Sequence, residues 1–417
     1  MAVIKGPRSA LTDFIEENNL KINPEFIKKR KAEKKEDVEP KTEQPVSVKK
    51  KRTKKIKHKM PVELINLETI NRSNEDLEVE ELLIDLDNIK SLSDEQLKNL
   101  SSYLSRNRIY NEEYVHKIIQ LCSDRLVIYD CSEIKDEIYH KIDKNLKTLE
   151  LYQCGQLTSK TLNLILSKQQ SLEVLRVTGG YLLTDILLPP TLKVLDLTHC
   201  SRLDDDIIDE INRKCKLLEE LRLSFCYKIT GSINLEVPVK RLYLCETNIS
   251  EEFVFNIPKI SQISALSVKR CQRINNLPLK FKKLEYLDVE GITELNSLCL
   301  TKTMKILNCK QCFKLTESLP GLLKKTVNME ELNISYLPVD QAILSGLKKL
   351  KILDISWCPQ VDDNFVVALL DKLALKKIFV FGCFKLSPNI SESSWKDSDS
   401  TKILGNPGET KYLILND

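Results

Sequence analysis

The chain has 417 residues, 42% of them hydrophobic, and a formal net charge of +4, enough for a large core and too long for one small domain. The net charge hides three pieces: residues 1–60 hold 18 Lys/Arg against 9 Asp/Glu, residues 61–100 hold 3 against 11, and the rest is nearly neutral. The first residues lack an apolar leader and no run of eighteen apolar residues occurs, so neither a secretory signal nor a membrane span is expected, and the 13 cysteines are expected to be reduced in a cytosolic or nuclear compartment.

The first candidate element is GPRSALTDFIEENNL (6–20). Ser9 can cap a helix whose first turns align Leu11, Phe14 and Ile15 in one stripe. Nine or ten residues are too few to hold a helix alone in water. The stripe is therefore expected to order on a partner or to fold back onto the repeats. Residues 28–60 are dense in charge, poor in aromatics and broken by prolines, so residues 1–60 are expected to form a disordered basic tail with a docking motif at 6–20. Within it KKKRTKKIKHK (49–59) sets eight basic residues in eleven: Lys49, Lys50, Lys51, Arg52, Lys54, Lys55, Lys57 and Lys59. That density suits nuclear import and sequence-independent contact with DNA phosphates, the alternative being a solvated linker.

Residues 61–122 form a second piece, with helices expected over 77–121. Leu97, Leu100 and Leu104 recur at helical spacing, and Ser93-Asp-Glu-Gln96 reads as a helix start. The piece either caps the open apolar end of the following array, as solenoid ends require, or serves as an adaptor-binding module, or does both.

From residue 123 to 390 one pattern repeats. LKTLELYQC (146–154), LKVLDLTHC (192–200), LEELRLSFC (218–226), ISALSVKRC (263–271), MKILNCKQC (304–312), LKILDISWC (350–358) and LKKIFVFGC (375–383) all read apolar-x-x-apolar-x-apolar-x-x-Cys. Five degenerate copies fill the gaps, giving about twelve units spaced 20 to 26 residues apart. This is leucine-rich-repeat spacing. The expected fold is an α/β leucine-rich-repeat solenoid of the cysteine-containing type, with a helical N-terminal cap and a C-terminal tail over 391–417. The ninth-position cysteines (131, 154, 200, 226, 271, 312, 358 and 383) suit a small buried slot at the turn leaving each strand. GQLTSKTLNLIL, SRLDDDIIDEI and PQVDDNFVVALLDKL show helical spacing after the turn, so the longer units are expected to carry convex-side helices.

The third, fifth and seventh positions are expected on the concave face. The fifth-position column, running from Val127, Glu150, Arg176 and Asp196 to Asp354 and Phe379, is mixed in sign and unlike a phosphate track. The last three copies supply Tyr336, Trp357, Phe379 and Phe381, either a protein-docking surface or a seal over the last repeat. No catalytic constellation, cofactor loop or metal-ligand set is legible. Cys309 and Cys312 have CxxC spacing but occupy repeat slots, so no metal or cofactor is expected and the chain is expected not to be an enzyme.

The N-terminal GPRSALTDF, the basic stretch, LSRNRIYNEEYVHKII (104–119), LELYQCGQLT (149–158) and the cysteine-type repeats together resemble the Rad-seven family of nucleotide excision repair. The resemblance implies a nuclear, non-catalytic damage-recognition subunit partnered by a Swi/Snf-type ATPase. It also implies association with elongin C and a cullin in a ubiquitin ligase, whereas a Skp-type adaptor goes with the receptor alternative that the repeat subclass suggests. An elongin-binding box has leucine four residues before cysteine; here Ile118 and Cys122 alone keep that spacing in the neck. The alternative from the repeat subclass is an F-box-like substrate receptor outside DNA repair.

Overall fold

Thirteen short parallel strands form one sheet in chain order. They are β1 Arg125–Ile128, β2 Thr148–Leu151, β3 Val174–Val177, β4 Val194–Asp196, β5 Glu220–Arg222, β6 Arg241–Tyr243, β7 Ala265–Ser267, β8 Tyr286–Asp288, β9 Ile306–Asn308, β10 Glu331–Asn333, β11 Ile352–Asp354, β12 Lys377–Phe379 and β13 Lys402–Leu404. This is a computed structural model, which describes residues 74–387, 390 and 401–405, apart from 279 and 339. The motif at 6–20 and the cluster at 49–59 lie outside the described residues.

Every copy pairs with the next in the same register, fourth position against fourth: Leu126 with Leu149, Leu195 with Leu221, Ile378 with Ile403. The first, fourth, sixth and ninth positions of LKTLELYQC (Leu146, Leu149, Leu151 and Cys154) are 0% exposed, and the same columns fill the core along the solenoid. A unit this small cannot bury its apolar face alone; stacking supplies the missing wall. The sheet has one strand more than the twelve copies legible in sequence. Its last strand, β13, lies in the segment expected as a C-terminal tail, and Ser400 replaces the apolar residue that would have announced it.

The ninth-position cysteines form a buried ladder. The thiols of Cys200, Cys226, Cys271, Cys312 and Cys383 donate to the sixth-position carbonyl of the preceding copy at 3.0–3.3 Å, and Cys358 does so at 3.5 Å. One residue earlier the backbone is left-handed. In every copy from the second to the twelfth the eighth residue has positive φ, from Gln153 to Gly382, and only Gly179, Gly291 and Gly382 are glycines. A side chain there costs about 1 kcal/mol. From Gly179 to Trp357 the conformation aims its N–H at the next copy's seventh-position carbonyl, as for Phe225 to Cys245 at 2.7 Å and Trp357 to Phe381 at 2.7 Å. The inter-copy ladder thus runs beyond the three-residue strands.

On the convex side, helices occupy Ser159–Leu166, Asp206–Lys214 and Asp363–Leu370, in the three units expected to carry them. Short polar side chains at the starts of these helices, and of the short helix Asp136–Tyr139, bind the next copy's loop. Asp136 accepts from Thr158, Asp363 accepts from the Ser387 N–H, and Asp205 accepts five bonds from Thr230, Gly231 and Ser232 at 2.5–3.1 Å.

Three helices precede the sheet: α1 Asn74–Ile84, α2 Asp94–Arg106 and α3 Glu112–Leu121. Ser93 closes a capping box with Gln96 at the start of α2, and Asn111 caps α3. Both α2 and α3 pack against β1, burying Leu97, Leu100, Leu104, Val115, Ile118 and Ile119. The neck is therefore a cap over the first repeat. Ile118 and Cys122, the pair with elongin-box spacing, are 1% and 3% exposed and belong to this core.

Candidate functional site

The concave face is built from third, fifth and seventh positions, and most of its charge is satisfied internally. Glu150 sits between Arg125 and Arg176, each at 3.3 Å, and accepts from Tyr152 at 2.7 Å. Glu220 bridges Arg222 and Arg241 at 2.7 and 2.6 Å, with the Arg222 guanidinium 3.9 Å from the Tyr243 ring centre. Glu290 takes Lys269 at 2.8 Å and Asn308 at 3.1 Å. Burial pushes the Glu290 carboxyl up, and these partners outweigh it, so it lies below its ordinary range. Burial wins at neighbouring Asp288, whose carboxyl is raised.

The fifth-position column is partly structural. Asp196, Asp288, Asn333 and Asp354 each accept the backbone N–H two residues on, at 3.0–3.1 Å, folding the strand end into the turn. These side chains are committed to their own backbone, which limits what the ladder can offer a ligand.

The two edges of the sheet differ. At the N-terminal edge of the strands, second-position residues pair across neighbouring copies: Asp124–Lys147, Glu173–Lys193, Glu219–Lys240 and Glu285–Lys305 at 2.7–2.9 Å, and Glu330–Lys351. Exposed pairs of this kind contribute little stability individually, but they leave the edge self-neutralised. At the opposite edge the turns carry rings. His199 stacks on Phe225 with centroids 4.1 Å apart, and Tyr336 stacks on Trp357 at 5.7 Å.

The four aromatics expected as one concave patch divide into two. Phe379 and Phe381 lie on the strand side, 6.4 Å apart and stacked, with Phe381 packed over Gly405 of the thirteenth copy. Tyr336 and Trp357 occupy the left-handed eighth position on the turn. The Trp357 ring covers Gly382, where any Cβ would collide with it, and leaves Trp357 45% exposed. Its edge contacts Phe384, 85% exposed at 5.8 Å. Phe384, Phe313 and Tyr227 escaped the sequence reading. Their signal was the recurrence of Cys-aromatic-Lys in three copies.

Cys309 and Cys312 are both 0% exposed, in the sixth and ninth slots, and burial pushes both thiols up, Cys312 to about 12. Among the described residues no group of three or more His, Cys, Asp or Glu is placed to hold a metal ion, and no helix is long and apolar enough to cross a membrane.

A leucine-rich-repeat family model matches residues 189–211, in register with the observed copies. The chain is a leucine-rich-repeat solenoid. It is similar to DNA repair protein RAD7 of Saccharomyces cerevisiae, 30% identical over 102 residues, which is 24% of this chain and 18% of that protein. Disease resistance protein RPS4B of Arabidopsis thaliana is 31% identical over 147 residues, 33% of this chain and 12% of its own length. The matches thus span less than a fifth of these relatives. Among solved leucine-rich-repeat structures, a chain of the yeast Rad7–Elc1 complex is 18% identical, covering 84% of this chain and 96% of that one with a TM-score of 0.45. The Leptospira interrogans protein LIC12759 is 16% identical, covering 76% and 93% with a TM-score of 0.33.

Proposed function

We propose that this chain is a nuclear, non-catalytic subunit for DNA-damage recognition in global-genome nucleotide excision repair. The observation that carries the reading is the 30% identity over 102 residues to a DNA repair protein. The GPRSALTDF and SRNRIYNEE segments add to it, because generic repeats alone discriminate poorly between leucine-rich-repeat proteins. In this reading the solenoid is a scaffold that holds a Swi/Snf-type repair ATPase, with Tyr336, Trp357, Phe379 and Phe381 as anchors. Leu11, Phe14 and Ile15 dock within the same assembly. The basic run 49–59 supplies nuclear import and salt-sensitive, sequence-independent DNA affinity.

The neck takes elongin C or a Skp-type adaptor and, through it, a cullin. Supporting this, α1 leaves Leu77 47% and Ile84 86% exposed, and a groove of about 410 Å³ between α1 and α2 is lined by Val79, Leu82 and Ile89 beside Glu78, Glu81 and Asp85. Ile118 and Cys122, by contrast, are core residues of the cap. Affinity purification of the full chain from its own cells, with mass spectrometry, tests the reading. A Swi/Snf-type ATPase is the expected partner. Recovery of a Skp-type adaptor through residues 77–121 without that ATPase identifies instead a ubiquitin-ligase receptor outside repair.

A further inference from the structure

The turns leaving the strands carry a pattern that the ATPase-docking surface leaves unused. In three copies the ladder cysteine is followed by an aromatic residue and a lysine: Cys226-Tyr227-Lys228, Cys312-Phe313-Lys314 and Cys383-Phe384-Lys385. The next residue in each, Ile229, Leu315 or Leu386, is buried and anchors the turn. The rings before it face water: Tyr227 is 50% exposed, Phe313 49% and Phe384 85%. Five of the six exposed aromatic residues among the described residues, these three with Tyr181 and Trp357, lie on this edge.

The charge of the edge is also one-sided. From the eighth to the eleventh positions of copies two to twelve there are six Lys/Arg against two Glu, with Arg270 paired to Glu246. Lys314 reaches Glu294, whereas no ion pair among the described residues includes Lys228 or Lys385. At the opposite edge five lysines are matched to carboxylates of neighbouring copies.

We propose that this edge of the solenoid holds single-stranded DNA, with bases stacked on Tyr227, Phe313 and Phe384 and phosphates on Lys228, Lys314 and Lys385. The proposal rests on the repair reading and names the ligand of its scaffold. Flat apolar rings beside cations complement an unpaired strand, which presents base faces and phosphates along one line. A duplex keeps its bases stacked inside and offers the rings nothing. An extended peptide would seek a free strand edge, but the backbone N–H groups of these turns are taken by the next copy, as at Trp357 and Gln311.

The test is fluorescence anisotropy of the full chain with a labelled twenty-nucleotide thymidine oligomer, between about 50 and 200 mM salt. Tyr227→Ala/Phe313→Ala/Phe384→Ala is expected to weaken binding at least about tenfold at either salt, since stacking on each ring is lost. The slope of affinity against salt stays unchanged. Lys228→Ala/Lys314→Ala/Lys385→Ala is expected to lower that slope by about two, at about 0.7 per phosphate contact on a single strand. Deleting 49–59 weakens single-strand and duplex binding alike and leaves the ring effect in place. Unchanged oligomer affinity in the ring variant, at unchanged melting temperature, overturns the proposal. If that variant instead loses the repair ATPase while binding the oligomer normally, the edge is a protein surface; this proposal falls and the repair reading stands. Absence of the ATPase from purifications of the unmodified chain sinks the repair reading whatever the rings do.

Discussion

Asp205 shows how much one side chain can hold in a stacked fold. Its carboxylate is 8% exposed and accepts five hydrogen bonds from the next copy's loop. Burial pushes the carboxyl up, and the bonds from Ser232 and Thr230 outweigh it, so the group lies below its ordinary range. A depressed carboxyl contributes stability that is fully present above the unfolded value of about 3.9 and lost as pH falls through the folded one. Asp205→Asn should therefore cost about 2 kcal/mol at pH 7, and the gap from the unmodified chain should close in acid below about pH 4. Urea unfolding across that range measures it; a gap that does not vary with pH contradicts the assignment. The cysteine ladder gives a second residue-scale expectation. Eleven of the 13 cysteines are buried, and burial pushes the thiols of Cys226 and Cys358 to about 12, far from the reactive thiolate. Iodoacetamide on the native chain at neutral pH should modify at most Cys245 and Cys299, read by peptide mass spectrometry. Labelling of Cys309 or Cys312 without unfolding would contradict a core role. The buried cysteine slots were legible from spacing alone. The left-handed eighth position was not, because bulky residues such as Phe225, Tyr336 and Trp357 stand where glycine would have signalled it, held there by inter-copy hydrogen bonds.

The elements separate what sequence periodicity can announce from what only stacking decides. The α2 start was legible because Ser93 and Gln96 form a local capping box whose geometry needs no tertiary partner. The convex helices were legible from the helical spacing of their apolar residues after a polar turn. The strand β13 was not, since Ser400 breaks the apolar pattern and only pairing with β12 makes Lys402–Leu404 a strand. The two-edged character of the sheet was hidden as well, because it lies between copies 20 or more residues apart. At this scale the cap makes a firm prediction. Leu104, 0% exposed in α2, carries the apolar face over β1, so Leu104→Asp buries an unpaired charge and should destabilise by at least about 3 kcal/mol, with aggregation as the open repeat is uncovered. Circular dichroism melts check this, and an unchanged melting temperature would show that the cap is not a structural lid. For the tip motif, Phe14→Ala should weaken complex assembly in co-purification and leave the solenoid's melting temperature unchanged. A lowered melting temperature would mean that the motif packs on the repeats.

Across the whole molecule the sheet divides the work among its faces. The concave face and the N-terminal edge of the strands satisfy most of their charge internally, whereas the turn edge and the C-terminal copies expose rings. Trp357, half exposed beside Tyr336 and Phe384, has the burial and geometry of an interface anchor. On the proposed function, Trp357→Ala should weaken binding of a Swi/Snf-type ATPase at least tenfold, measured by titration calorimetry. The measurement that tests the central claim most directly is affinity purification of the unmodified full chain with quantitative mass spectrometry, before and after DNA damage. The account predicts a stoichiometric Swi/Snf-type ATPase and enrichment of the pair on damaged chromatin. Recovery of a Skp-type adaptor and cullin with no such ATPase, and no response to damage, would contradict it.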